Sequence, residues 1–218
     1  MRRILVRVLR LTVLGGLVAA LVGVTSAGAA QFGVGQKAAF FTGGSGTAGW
    51  VEGVDPLAPG SPAQVVQLSS PDGLSYGGFA MNAIDGLPVS AITALSYDFQ
   101  VTTPGWSTGG VGSPRLVVEF QNSSGTYDGL VNLNPVTTLA PGVWQNMNAM
   151  TGAVDVMGGT CGYAYQASWS TASACFTGDT VMAAFVVNDS GWLSPLTVQV
   201  DNIDLNGTIY SHPATAKR

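Results

Sequence analysis

Along much of this chain, apolar and polar residues alternate with a period of two. In 95–102, Leu95, Tyr97, Phe99 and Val101 alternate with Ser96, Asp98, Gln100 and Thr102, the pattern of a strand with one buried and one wet face. The segment 115–121 repeats it, with Leu116, Val118 and Phe120 on one side and Arg115, Val117, Glu119 and Gln121 on the other. Residues 179–188 form a longer apolar run rich in Val and Phe, which reads as a central strand. Residues 197–205 alternate again through Val198, Val200, Ile203 and Leu205, with a slip of phase at Asp201-Asn202 that predicts a bulge. Gly207 then permits a turn into 208–210. Weaker strands fall at 48–52, 64–69, 74–82, 127–133 and 143–147, and prolines from Pro56 to Pro195 punctuate them. After the first thirty residues no stretch sustains a helical period. Short strands at this spacing predict an all-β fold, a two-sheet antiparallel sandwich of jelly-roll type.

The closing strands carry a resemblance. Val187-Asn188-Asp189-Ser190-Gly191-Trp192, and then Val200-Asp201-Asn202-Ile203-Asp204-Leu205-Asn206-Gly207-Thr208, resemble the end of jelly-roll carbohydrate-binding-module-like domains of secreted bacterial proteins. Gly142-Val143-Trp144-Gln145 is similar to the entry of one of their middle strands. The likeness spans 50–210 as architecture. It implies the fold, and sugar binding as a common use of that fold.

The first thirty residues change the picture of where the chain works. Arg2, Arg3, Arg7 and Arg10 give a positive start, 11–24 is apolar, and Ala27-Gly28-Ala29 offers a small-residue cleavage site. Residues 1–29 therefore read as an export signal. The alternative, a retained anchor, needs an apolar run of about 20 residues, and this one is shorter and contains Gly15, Gly16 and Gly23. The remaining organisation predicted is a lead-in at 30–46, the sandwich at 47–210 and a polar tail at 211–218. Signal removal would leave Lys37, Arg115, Lys217 and Arg218 against twelve acids, a net charge of −8. Such a chain has no basic patch for phosphates, so nucleic acid and anionic membrane surfaces are poor partners; neutral glycans or cations suit it better.

Two cysteines, Cys161 and Cys175, are expected to pair in an exported chain, closing a loop worth about 3 kcal/mol in the chain-entropy description. Nucleophilic catalysis is hard to build, because the sole histidine, His212, lies in the polar tail. A glycosidase needs two carboxyl groups across a cleft, and Glu119 with Asp98 is the candidate pair; the competing reading is that both merely keep a strand face soluble. A lyase would set Arg115 beside Tyr97 or Tyr127 as base. Aromatics offer a ligand platform, since sugar C–H faces stack on rings. Trp106 is either a plug of the sandwich end or an exposed contact. Tyr163, Tyr165 and Trp169 either form a platform on the disulfide loop or cap the core. Trp50 and Trp144 are expected to be mostly buried. A structural calcium could use Asp201 with Glu52 or Asp55, against the reading that these are surface acids; no other cofactor is expected. Asn122, Asn188 and Asn206 each open an N-x-S/T triplet.

Three functions follow from these features. The first is a secreted, non-catalytic module binding a glycan or cell-envelope surface through loop aromatics. The second is a polysaccharide-degrading glycosidase or lyase on the same fold. The third is a structural or interaction protein of the envelope.

Overall fold

A computed structural model describes residues 31–32, 36–102, 113–135, 141–189 and 195–211. Two antiparallel sheets pack face to face. The larger runs β1 (Gln31–Phe32), β2 (Gln36–Gly43), β5 (Tyr76–Met81), β12 (Thr180–Asp189), β7 (Arg115–Gln121), β8 (Tyr127–Leu133), β10 (Val154–Gly158), β11 (Gly162–Ala167). The smaller runs β3 (Thr47–Val54), β4 (Pro62–Ser70), β13 (Leu196–Leu205), β6 (Leu95–Val101), β9 (Gln145–Asn148), with β14 (Thr208–Tyr210) also on β13. After β2 the chain crosses to β3 and β4, returns for β5, crosses for β6, returns for β7 and β8, crosses for β9, and closes with β10 to β12 in one sheet and β13 in the other. That repeated crossing places the inner faces of the two sheets against each other over most of their width.

The core is the sum of these inner faces. Leu116, Val118, Phe120, Val131 and Val186 meet Val66, Leu68, Tyr97, Phe99, Val198 and Val200, all buried. Full burial of an aliphatic or aromatic side chain is worth about 1.5–3 kcal/mol, so this layer dominates folding. Tyr97 is polar yet central, because its hydroxyl donates to the carbonyls of Pro114 at 2.8 Å and Leu133 at 3.1 Å. Trp50 packs partly buried on the core edge against Phe40 and Phe79, and Trp144 is half-buried. The predicted bulge is present: the β6–β13 register shifts between Asp201 and Asp204, and Asn202 takes φ 46°. The turn at Gly207 uses positive φ at both Asn206 (57°) and Gly207 (87°), as a tight hairpin requires.

Two features differ from the sequence expectation. Residues 36–43 are no lead-in but β2, paired along β5 from Ala38↔Met81 to Gly43↔Tyr76. The disulfide loop is not a loop platform: it contains β11 and a helix, α1 (Trp169–Cys175). Ser168 caps that helix by accepting the Thr171 N–H. The helix is there because the smaller sheet ends at the short β9, so α1 packs on β10 and β11 instead. Its Ala172 and Cys175 enter the core, and Phe176 just beyond stacks on Phe120 at 4.5 Å. Cys161 and Cys175 are bonded, as expected.

Candidate ligand-binding face

The outer face of the larger sheet gathers the residues with unusual chemistry. Strand register places Tyr163 (β11), Met157 (β10), Leu130 (β8), Glu119 (β7) and Ala183 (β12) in one transverse row. At about 4.8 Å per strand, Glu119 and Tyr163 stand roughly 14 Å apart along it. Alternation explains the placement. Val118 and Phe120 point into the core, so Glu119 between them must point out.

Glu119 is nonetheless only 2% exposed, and its Oε2 has no hydrogen-bond partner among the described residues. Burial pushes its carboxyl up to about 7. Tyr127 lies nearby on β8 and is itself pushed up to about 12, first by burial and then by the charges of Glu119, Tyr163 and Asp128. Across this face Phe41, Val117, Phe185 and Val187 form a second buried apolar cluster. Beyond it Arg115 and Asp189 make a partly buried ion pair. Burial raises the Asp189 carboxyl, while Arg115 opposes the shift.

Tyr163 and Tyr165 lie on the edge strand, 56% and 71% exposed. Their rings stack 6.5 Å apart with 18° between planes. They alternate with Ala164, which packs on the core, so both rings leave the same face. The edge is stapled at its start, since Cys161 is bonded to the buried Cys175. Trp169 does not join them; as the first residue of α1 it packs half-buried on the core. Of the three rings weighed as platform or core cap, Trp169 packs on the core and the two tyrosines stand exposed. Trp106 and His212 lie outside the described residues.

Several other candidate groupings are not brought together. Asp98 is on the smaller sheet, between core residues Tyr97 and Phe99, and points to that sheet's outer face. The core therefore separates it from Glu119, and the two carboxyls share no cleft. Asp98 instead accepts from Asn146 at 2.8 Å and Asn202 at 2.9 Å. The lyase pairing fails on Tyr97, whose hydroxyl is spent in the core, while Arg115 is spent on Asp189. Asp201 sits opposite Asp98, Glu52 is across the sheet opposite Gln64, and Asp55 accepts the Leu57 N–H in the β3–β4 turn. Among the described residues no three His, Cys, Asp or Glu side chains gather as a metal site. Asn188 is wholly buried, and Asn206 is bonded to Thr93 and Ala91, so neither carboxamide is free for a glycan. The sequence reading missed Asp179, whose carboxyl is raised by burial and by the adjacent Asp128. Only the pairing of β8 with its neighbours reveals that contact.

No protein-family model matches the chain, and no curated protein matches it significantly. Among solved structures it is similar to an arabinose-bound α-L-arabinofuranosidase, MgGH51, at 13% identity with a TM-score of 0.38. The match covers 74% of this chain and 22% of that one. The likeness is too slight to bear on activity.

Proposed function

We propose that the chain is an exported, non-catalytic β-sandwich module that holds a glycan or a cell-envelope surface against the outer face of its larger sheet. The exposed, stacked Tyr163–Tyr165 pair carries this reading. Two large rings left more than half exposed on a stapled edge strand add little to the core, and flat rings are what the C–H faces of sugars stack on. The disulfide suits an oxidising compartment, and no helix among the described residues is long and apolar enough to cross a membrane. A glycosidase would need a second carboxyl across from Glu119, and Asp98 does not supply it.

The test is retention on soluble and insoluble polysaccharides, with released reducing and unsaturated ends followed in parallel. The expected result is retention without product, lost in a Tyr163→Ala/Tyr165→Ala double variant that unfolds as the parent does. Retention unchanged in the double variant would sink the reading. Product that disappears in Glu119→Gln would replace it with an enzyme.

A further inference from the structure

A concavity lies at the seam between the sheets, where the β9 edge of the smaller sheet meets the segments that follow β8 and lead into β10. It is a pocket of about 290 Å³ lined by Asn134, Asn146, Met147, Asn148, Thr151 and Gly152, with Ala153 beside them. Its polar groups are fixed by their neighbours. The carboxylate of Asp98 can only accept, so the nitrogen of Asn146 faces it at 2.8 Å and the amide oxygen is left over. The Met150 N–H can only donate, so the oxygen of Asn148 faces it at 2.8 Å and the NH2 is left over. Each carboxamide is held in one orientation, one presenting an acceptor and the other a donor. Asn134 is 4% exposed and lines the same pocket between them and the end of β8. Its carboxamide adds a third polar group able both to donate and to accept at the pocket wall. The turn closes on β9 because Gly152 has no Cβ; a Cβ there would lie 2.7 Å from the Asn148 carbonyl oxygen.

The geometry points to a binding site for a single neutral polyhydroxylated ring, such as one sugar residue, held by Asn134, Asn146 and Asn148. A sugar hydroxyl both donates and accepts, and this lining offers both functions at fixed positions. Met147 and Ala153 supply apolar wall for a ring's C–H face. No Lys, Arg or His lines the pocket, and Asp98 stands behind Asn146, so an anion is disfavoured. The volume is at the small end of ligand pockets, which suits one ring rather than a chain. The site owes nothing to the tyrosine face.

The test is nuclear magnetic resonance of the side-chain amides of the ¹⁵N-labelled protein. It is titrated with glucose, xylose and N-acetylglucosamine to high millimolar concentration, with glucuronate as the charged comparison. At least one neutral sugar should shift the Asn134 and Asn148 amide signals saturably, and glucuronate should not. Asn148→Asp keeps an acceptor for Met150 and removes the donor; it should weaken binding roughly tenfold, about the worth of one hydrogen bond. Asn134→Leu should act similarly, and Tyr163→Ala/Tyr165→Ala should leave this binding unchanged. The inference is overturned if no neutral sugar moves those signals, if glucuronate binds equally, or if Asn148→Asp binds as the parent does. None of those results touches retention by the tyrosine pair, which is read separately on polysaccharide.

Discussion

Glu119 and Asp98 project from the outer faces of opposite sheets, with Phe120, Tyr97 and Phe99 packed between them. Their environments differ as much as their positions. Asp98 receives two amide donors, whereas Oε2 of Glu119 receives none. The carboxyl of Glu119 is held up to about 7, against 4.5 for the ordinary group. Between those values the folded chain keeps a proton that the unfolded chain has released. Stability from this group is therefore full below about pH 4.5 and falls as pH rises through 7. At 1.36 kcal/mol per pH unit the loss reaches about 3 kcal/mol. Glu119→Gln should match the parent in urea unfolding at pH 4 and be more stable at pH 8 by up to that amount. Equal stability at both pH values would show that Glu119 titrates normally.

Asp98→Asn tests the other face. The substitution removes the charge that two amides serve, and one of them must then face another amide nitrogen. Loss of a charge-assisted hydrogen bond costs about 1.5–3 kcal/mol, so the variant should be destabilised by that order. Because Asp98 also orients Asn146, sugar shifts at the seam pocket should weaken in the same variant. Turnover of any polysaccharide is not expected to depend on it.

Much of the sandwich is legible in the sequence because its strands obey one rule. Residues 115–121, 127–133 and 208–210 coincide with strands, and 95–102 and 197–205 do so within a residue. Each has large apolar groups facing the core and mostly polar ones facing out, Val117, Leu130 and Ile209 being the exceptions. β11 breaks the rule: its small Ala164 and Ala167 face in while Tyr163 and Tyr165 face out, so hydrophobicity alone reads it backwards. β2 was hidden by Ala38-Ala39-Phe40-Phe41, where both faces are apolar because the outer one joins the Phe185 cluster. The site was less legible than the fold. Glu119 and the two tyrosines are visible as residues, but which sheet each occupies is decided by pairing across long sequence separations. That is why Glu119 and Asp98, plausible partners by alternation, are on opposite sides.

Asp128 and Asp179 form a like-charged contact that pairing alone creates. Asp179 is buried, its Oδ2 lacks a partner among the described residues, and its carboxyl is raised first by burial and then by Asp128. A raised carboxyl loses stability as pH climbs past its ordinary value of 3.8. Asp179→Asn should therefore flatten the fall in stability between acid and neutral pH, measured by thermal unfolding. A variant less stable than the parent at pH 8 would mean that the charge is held by something favourable.

The disulfide joins the buried Cys175 to Cys161 across 14 positions. Closing a loop of that length restricts the unfolded chain by about 3 kcal/mol. Cys161→Ser/Cys175→Ser should lower the free energy of unfolding by that order. It should also loosen β11, so loss of polysaccharide retention is expected before global unfolding. Retention that persists until the whole sandwich melts would show that β11 is held by its pairing to β10 alone.

Asn188 ties the two sheets together from inside. It lies on β12 of the larger sheet, is 0% exposed, and donates to the carbonyls of Leu68 at 3.1 Å and Leu196 at 3.0 Å on the smaller one. Its oxygen accepts from Ser113 at 2.8 Å, and the Ser113 hydroxyl oxygen in turn accepts the Asp189 N–H at 3.1 Å. A leucine there would be the apolar choice for a core strand, and it would fill similar space. It would also leave two carbonyls and a hydroxyl without that partner, each worth about 1 kcal/mol or more when buried. Asn188→Leu should therefore cost about 3 kcal/mol despite the gain in hydrophobicity. Because Asp189 is the next residue, it should also disturb the ion pair with Arg115. The check is urea unfolding alongside backbone amide exchange at 186–189. Unchanged stability would mean that hydrophobic packing, and not this amide, joins the sheets at that end.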